Sequence, residues 1–238
     1  MTKKWLPLES NPEVMTEFAA RIGLDTSKHA FYDVFGLDEE LLAMVPQPVV
    51  AVLLLYPITA ETEAAAKEAD GRIAAAGPSA PRPPPVYFMK QTIGNACGTI
   101  AMLHAFGNSL GTVELADGSF LRRFFDATEA MTPEARGAYL EAPPSGAPDI
   151  EEAHQAAGER GDTAPPQPEE DVDLHFVAFV NAGGQLVELD GRRGGPVAHG
   201  PTSADGLLAD AAAVVRREFM EKSSSIAFNL ICLSKAEG

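Results

Sequence analysis

The sequence predicts a single α+β domain, and three observations support this. The chain has 238 residues, of which 45% are hydrophobic, enough for one substantial core. Patterns typical of helices and of strands are mixed along the chain without regular βαβ alternation. No internal repeat is visible. We therefore expect one domain over residues 1–238.

Charge and composition narrow the class of protein. The net charge of −16 opposes binding to nucleic acid and suits a partner that presents basic residues. The longest apolar run, residues 49–56, is too short to span a bilayer, and the first residues lack a signal-peptide core. Cys97 and Cys232 cannot make a disulfide framework, and no spacing suggests metal ligands. We expect a cytoplasmic protein that could also enter the nucleus, without a metal or other cofactor.

The first quarter of the chain predicts two short helices and a buried strand. Asn11 can cap a helix that Pro12 opens and Gly23 ends. Residues 36–45 predict a second helix. The continuous apolar run within residues 46–59 is bounded by prolines and is typical of a strand buried on both faces.

The middle of the chain predicts helices separated by loops. Residues 61–85 predict an alanine-rich helical turn and then a proline-rich surface loop. An extended segment at 85–93 leads to a helix that follows Cys97. Two further helices are expected at 119–128 and after Thr132, which can cap the second of them.

The last part of the chain begins with a segment of different character. Residues 142–173 carry many prolines and acids and almost nothing apolar, which predicts a long loop that is either functional or disordered. A helix at 204–222 and a strand at 225–235 are expected to end the chain.

Residues 173–195 predict a β-hairpin, because two apolar runs flank the sequence NAGG. A turn centred on Ala182 and Gly183 places His175 directly opposite Asp190, with Cβ atoms about 4.5–5.5 Å apart. A single bulge would move the two side chains to opposite faces. The alternative interpretation is a satisfied core histidine and an ordinary Asp-Gly turn.

The sequence KQTIGNACGTIAMLHAF, residues 90–106, contains the candidate nucleophile. Cys97 falls where the extended segment becomes a helix, and a helix N-terminus and a nearby imidazolium both favour the thiolate. A carboxylate can orient that imidazole, and the Gln91 amide can donate to an oxyanion. Together these residues predict acyl transfer by a thiol, with water as the final acceptor. Taken by itself, Cys97 is more typical of a small buried hydrophobe, because free cysteine is among the most buried residue types.

The remaining histidines and Cys232 are assigned no chemistry. We interpret His29 and His154 as loop or surface residues, and His104 and His199 as structural. Cys232, in an apolar strand, is expected in the core.

Six segments carry a resemblance to a known family. They are WLPLESNPEV (5–14), ELLAMVPQPVVAVLLLYPIT (40–59), KQTIGNACGTIAMLHA (90–105), DLHFVAFV (173–180), ELDGR (188–192) followed by HG (199–200), and FNLICLS (228–234). The chain resembles short, single-domain ubiquitin carboxyl-terminal hydrolases, which are papain-like thiol peptidases. The resemblance covers nearly the whole chain in order.

The resemblance implies a fold and a set of catalytic roles. The fold is an α/β sandwich in which a central, mostly antiparallel sheet lies between helices, with a knotted backbone. Cys97 would be the nucleophile, His175 the general base and acid, Asp190 its orienting partner and Gln91 the oxyanion donor.

The resemblance also implies substrates and surfaces. Residues 142–173 would be a flexible crossover loop above the cleft, which favours small or unfolded adducts of ubiquitin. The substrate would be ubiquitin, with NEDD8 as a second candidate, and the enzyme is expected to be a monomer. The residues expected to contact ubiquitin are Pro7, Leu8, Glu9, Asn11 and Ile226.

Two alternatives remain at the level of the sequence. One is a ubiquitin-binding module that has lost turnover. The other is a papain-like thiol hydrolase or acyltransferase with a different substrate.

Overall fold

We describe residues 3–75, 84–162 and 172–237 of a computed structural model of the chain. Residues 76–83, within the predicted proline-rich loop, and residues 163–171, within the predicted crossover loop, lie outside the described part. Among the described helices, none is both long and apolar enough to cross a membrane.

The centre of the fold is a six-stranded antiparallel sheet with the strand order β1-β6-β2-β3-β4-β5. The strands are β1 (His29–Asp33), β2 (Val49–Pro57), β3 (Leu174–Ala182), β4 (Gln185–Leu189), β5 (Val197–Pro201) and β6 (Asn229–Lys235). The antiparallel sheet confirms the predicted α+β class. The knotted path of the backbone stays a prediction.

Eight α-helices accompany the sheet in the described part of the chain. They are α1 (Pro12–Ile22), α2 (Glu39–Leu42), α3 (Ala60–Ala75), α4 (Cys97–Gly107), α5 (Phe120–Thr128), α6 (Pro133–Glu141), α7 (Glu151–Gly158) and α8 (Leu207–Val214). A π-helical segment, Val215–Met220, continues α8.

Local capping chemistry sets several of the helix ends. The Asn11 side chain accepts hydrogen bonds from the backbone N–H groups of Glu13 and Val14, and Gly23 ends α1 in the left-handed conformation. Thr132 caps α6 in the predicted way. The prediction for residues 61–75 was too short, because α3 extends over 16 residues instead of one helical turn.

The sheet has a hydrophobic core on each face. Leu53 belongs to the core that includes α1, α4 and α5, whereas the next residue, Leu54, belongs to the core that includes α8. Both side chains are completely buried. Strand β2 is therefore buried on both faces, as the continuous apolar run predicted.

The hairpin of β3 and β4 forms, but in a different register from the predicted one. Ala182 pairs with Gln185, so the turn is centred on Gly183 and Gly184 and not on Ala182 and Gly183. Both turn residues have positive φ, at 57° and 82°, which glycine adopts without the steric cost that alanine would have. The register is shifted by two residues from the prediction, and a shift of two keeps every side chain on its expected face.

Part of the predicted crossover loop is helical, which corrects the prediction of a structureless segment over residues 142–173. Helix α7 packs against α1. Its buried side includes His154, Ala157 and Gly158, so the usual row of large apolar residues is missing from the sequence. The amphipathic signal was therefore too weak to predict the helix.

His154 holds α7 in place, and its prediction as a loop or surface residue was wrong. The side chain is 1% exposed, its Nε2 atom lies 2.7 Å from the Leu6 carbonyl oxygen, and its Nδ1 atom lies 2.8 Å from Thr99 Oγ1. Because Nε2 donates to a carbonyl, Nδ1 is free to accept from the Thr99 hydroxyl of α4. The ring also packs on Trp5, with a centroid distance of 4.2 Å. One neutral histidine thus links α7, the N-terminal segment and α4.

The neutral state of His154 makes the stability of the fold depend on pH. Burial lowers the pKa of His154 to about 4 from an ordinary value of 6.5, although the Leu6 carbonyl and Glu151 act in the opposite direction. The unfolded chain gains this proton near pH 6.5 and the folded chain only near 4, so stability is lost as the pH falls through that window. Between pH ~7 and ~4.5, we expect the free energy of unfolding to fall by about 2 kcal/mol less in His154→Gln than in the wild type. Urea denaturation measures this, and an equal fall in both proteins would contradict it.

Candidate active site

Cys97 is the first residue of α4, as the sequence predicted. Ala96 precedes the helix without a side-chain cap, so the first N–H groups of α4 are not occupied by such a cap. The backbone groups of Gly98 and Phe176 hydrogen-bond to the sulfur. The thiol is 9% exposed, at the end of α4 that meets β3. Its sulfur therefore lies where helix dipole and backbone donors favour the thiolate.

His175 and Asp190 are in contact on the sheet. His175 Nε2 lies 2.7 Å from Asp190 Oδ1, and both side chains are buried. Asp190 directly follows β4. The observed register would place residue 192 opposite His175, so Asp190 lies two positions away from the directly opposed site. Diagonal neighbours on one face are within reach of long side chains, so the contact forms despite the shift. The Tyr56 ring packs edge-on against the imidazole, with a centroid distance of 5.7 Å.

The thiol, imidazole and carboxylate shift one another's pKa values. Burial alone would raise the pKa of Cys97, but the hydrogen bond and charge of His175 outweigh it, and the pKa of the thiol is lowered. Burial opposes the charge on His175 as well, yet Asp190 and Cys97 raise the pKa of His175 to about 9. The hydrogen bond and charge of His175 likewise overcome burial and lower the pKa of Asp190. These directions favour a thiolate–imidazolium pair at pH values below the His175 pKa of about 9.

Gln91 lies in the extended segment beside the Asp190 loop. Its backbone N–H donates to the Gly191 carbonyl at 3.0 Å. A Cβ atom on Gly191 would lie 2.9 Å from Ile100 of α4 and 3.0 Å from the Gln91 Cβ, so only glycine allows this close approach. The Gln91 amide nitrogen donates to the Ile93 carbonyl at 3.1 Å, and its buried Oε1 atom has no partner. The Gln91 side-chain amide thus makes one hydrogen bond through its nitrogen and none through its oxygen.

The predicted ubiquitin-contacting residues occupy different environments. Ile226 is 96% exposed, whereas Leu8 is only 5% exposed. The Asn11 side chain is already used as the cap of α1. Glu9 Oε1 accepts from the backbone N–H of Asp162 at 3.4 Å, and Pro7 is half-buried. As placed, Ile226 offers the largest free surface of the five.

Two charged residues next to the site were not predicted. Glu188 and Arg193 flank Asp190 in sequence, are 3% and 8% exposed, and form an ion pair of 3.0 Å. The available signal was the alternation along β4, which places Glu188 and Asp190 on the same face of the sheet. The described residues contain no group of three or more His, Cys, Asp or Glu side chains that could hold a metal ion.

The known proteins that this chain resembles in sequence are ubiquitin carboxyl-terminal hydrolases. Residues 5–221 match the family model described as ubiquitin carboxyl-terminal hydrolase, family 1. The chain is 47% identical over 234 residues to ubiquitin carboxyl-terminal hydrolase 3 of Arabidopsis thaliana, covering 98% of this chain and 95% of the relative. It is 40% identical over 230 residues to the isozyme L1 of Equus caballus, covering 97% and 98%.

A solved structure shares the fold. The catalytic domain of Trichinella spiralis UCH37, bound to ubiquitin vinyl methyl ester, superposes with a TM-score of 0.70 at 23% identity, covering 98% of this chain and 96% of that chain. The papain-like fold with a thiol, an imidazole and a carboxylate in contact defines the class, a thiol-dependent hydrolase. The chain belongs to the ubiquitin carboxyl-terminal hydrolases of family 1 and is a cysteine-type deubiquitinating enzyme.

Proposed function

We propose that the chain is a single catalytic domain that hydrolyses the bond after the C-terminal glycine of ubiquitin, with Cys97 as the nucleophile. The observation that carries this proposal is the contact of Cys97, His175 and Asp190 at the N-terminus of α4, together with the lowered pKa of the thiol. A thiolate formed at neutral pH is the state that attacks a carbonyl carbon.

The reaction then proceeds in two stages. The Cys97 sulfur bonds to the glycine carbonyl carbon, the carbon–nitrogen bond breaks, and His175 gives its proton to the leaving amine, which leaves a thioester. Water next attacks the thioester carbon and gives one proton to His175, the carbon–sulfur bond breaks to restore the thiolate, and ubiquitin leaves as a carboxylic acid that releases its remaining proton to solvent. Asp190 holds the imidazole in orientation through both stages. In this mechanism, Gln91 and the Cys97 backbone N–H donate to the tetrahedral oxyanion.

Ubiquitin is the proposed partner because the UCH37 relative is described in complex with ubiquitin vinyl methyl ester. The net charge of −16 supports the same proposal, since the tail of ubiquitin carries arginines. We place the ubiquitin surface at the N-terminal residues Pro7, Leu8, Glu9 and Asn11 and at the exposed Ile226. NEDD8, with a similar tail, is the proposed second substrate.

We further propose that small or unfolded adducts are preferred and that the enzyme acts as a monomer in the cytoplasm and also in the nucleus. The adduct preference is supported by the fixed position of α7, which lies within the segment that we propose to be the crossover loop. His154 fixes α7 to α4 and to the N-terminal segment. The free thiols Cys97 and Cys232 suit a reducing compartment.

One assay tests the proposal and separates it from the two alternatives. The substrates are ubiquitin and NEDD8 carrying a C-terminal fluorophore amide, and ubiquitin fused to a stably folded domain. We expect the wild type to release the fluorophore from ubiquitin at least tenfold faster than the folded domain, and Cys97→Ala to bind ubiquitin without turnover. Binding without turnover by the wild type would indicate a binding module. Neither binding nor turnover would indicate a different substrate.

A further inference from the structure

The face of the sheet that carries His175 holds a second carboxylate–histidine pair. Glu188 and Asp190 are two positions apart, so their side chains project from the same face of the sheet. Asp190 Oδ1 lies 2.7 Å from His175 Nε2, and Glu188 Oε2 lies 2.7 Å from His199 Nε2. The two carboxylates are each 3% exposed. Buried carboxylates require hydrogen-bonding or charged partners.

Arg193 supplies the positive charge on the side of Glu188. Its Nη1 atom donates to Glu188 Oε1 at 3.0 Å, and its Nη2 atom donates to the Ala66 carbonyl of α3 at 2.9 Å. Its Nε atom donates to Asp70 Oδ1 at 3.3 Å. All three guanidinium nitrogens are therefore used, and the planar fork joins β4 to α3.

The Glu188–Arg193 ion pair lies across the turn that begins at Asp190. The backbone N–H of Arg193 donates to the Asp190 carbonyl at 3.0 Å, and the N–H of Arg192 donates to Asp190 Oδ1 at 2.9 Å. On the other side of the turn, the Lys90 ammonium donates to the Arg193 carbonyl. The short segment after Asp190 is thus held by β4, by α3 and by the extended segment that leads to Cys97.

This arrangement has a consequence for the Asp190 carboxylate. A free turn would let the carboxylate rotate away from His175, because Asp190 lies beyond the last paired residue of β4. The Glu188–Arg193 pair spans this turn and fixes its two ends. The positive charge of Arg193 also helps to lower the pKa of Asp190. The pair thereby acts on the imidazole through the carboxylate.

We propose that Arg193 is a positioning residue that holds the Asp190 carboxylate against His175 by pairing with Glu188 across the turn. The role rests on the proposed function, because it matters for turnover only if Cys97 and His175 perform the reaction. Arg193 itself touches neither the thiol nor the imidazole in the described contacts. Its effect is expected on the ionisation of the thiol and on kcat, not on ubiquitin affinity.

The test replaces both members of the pair, as Glu188→Gln together with Arg193→Met. The double variant changes no net charge and leaves no unpaired buried charge, so it is expected to fold. If the pair positions Asp190, kcat falls about tenfold with KM unchanged. Alkylation of Cys97 by iodoacetamide, followed against pH, shows the thiol ionising at higher pH than in the wild type. A purely structural pair would shift neither the pH profile nor kcat once the protein is folded.

A charge-neutral control is available on the surface. Lys28 and Glu114 form an exposed ion pair of 2.5 Å, and Lys28→Met with Glu114→Gln is expected to leave kcat and the alkylation profile within twofold of wild type. Wild-type kcat and wild-type alkylation in the folded Glu188/Arg193 double variant would overturn the proposal.

If the double variant does not fold, Arg193→Lys tests the positioning role of Arg193. Lysine keeps the charge but lacks the planar fork that reaches three acceptors, so a smaller loss of kcat in the same direction is expected. An unchanged kcat and thiol titration in this variant would also overturn the proposal. The alkylation profile does not need ubiquitin. A wild type that cannot hydrolyse ubiquitin amides, but whose thiol titration still shifts in the variants, would refute the proposed function and leave the positioning role intact.

Discussion

Replacing His175 by glutamine is expected to lower kcat for ubiquitin fluorophore amide by about 10⁴-fold. Glutamine cannot take the thiol proton or give one to the leaving amine. It also cannot form the cation that lowers the pKa of Cys97. Steady-state kinetics measures the loss, and the rate of Cys97 alkylation at neutral pH is expected to fall in parallel, because less thiolate is present.

A matched histidine variant controls for the loss of an imidazole. His29 was interpreted as a loop or surface residue, but this was wrong, because it is 8% exposed and lies at the start of β1. It pairs with Lys235, at the opposite end of the sheet from the His175–Tyr56 pair. His29→Gln is expected to keep kcat within twofold of wild type. Retention of more than a tenth of the activity by a folded His175→Gln variant would exclude His175 as the general base.

The second largest effect is expected from Gln91→Ala, which should lower kcat by 10²- to 10³-fold. Alanine removes the amide donor that the proposed mechanism directs at the oxyanion. The oxyanion exists only in the transition state and the intermediate, so the lost hydrogen bond does not contribute to ubiquitin binding. The dissociation constant for ubiquitin should therefore stay within about twofold of wild type. Kinetics on the fluorophore amide and calorimetric titration with ubiquitin measure the two quantities.

Gln155 provides the control for Gln91. It is an exposed residue of α7 whose amide donates to Glu159 Oε1 at 2.8 Å. Gln155→Ala is expected to leave kcat unchanged. A loss of ubiquitin affinity equal to the loss of kcat in Gln91→Ala would instead assign Gln91 to substrate binding.

Features encoded by neighbouring residues were predictable from the sequence. The limits of α1 followed from Asn11, Pro12 and Gly23, because capping and termination depend on local backbone chemistry. The burial of β2 followed from its uninterrupted apolar run. The contact of His175 with Asp190 was predicted although the register was wrong, since the error of two residues preserved the face of the sheet.

Features that depend on distant contacts were not predictable in the same way. Helix α7 docks through His154, whose partners Leu6 and Thr99 are far away in the sequence. No periodic pattern of apolar residues marks such a helix. Arg193 contacts α3 more than 100 residues earlier in the chain. These contacts exist only in the folded chain, where the Arg193 side chain reaches Ala66 and Asp70 of α3.

The proposed function requires that Cys97 is a reactive thiolate and that the C-terminus of ubiquitin reaches it. The most direct test is to incubate the protein at neutral pH with ubiquitin carrying a C-terminal vinyl ester electrophile and to locate the adduct by peptide mass spectrometry. Cys232 is an internal control, because it is buried and burial is the main cause that raises the pKa of its thiol to about 12. We predict one ubiquitin per chain, attached to Cys97 and absent from Cys97→Ala. Attachment to Cys232, or no attachment at all, would contradict the claim.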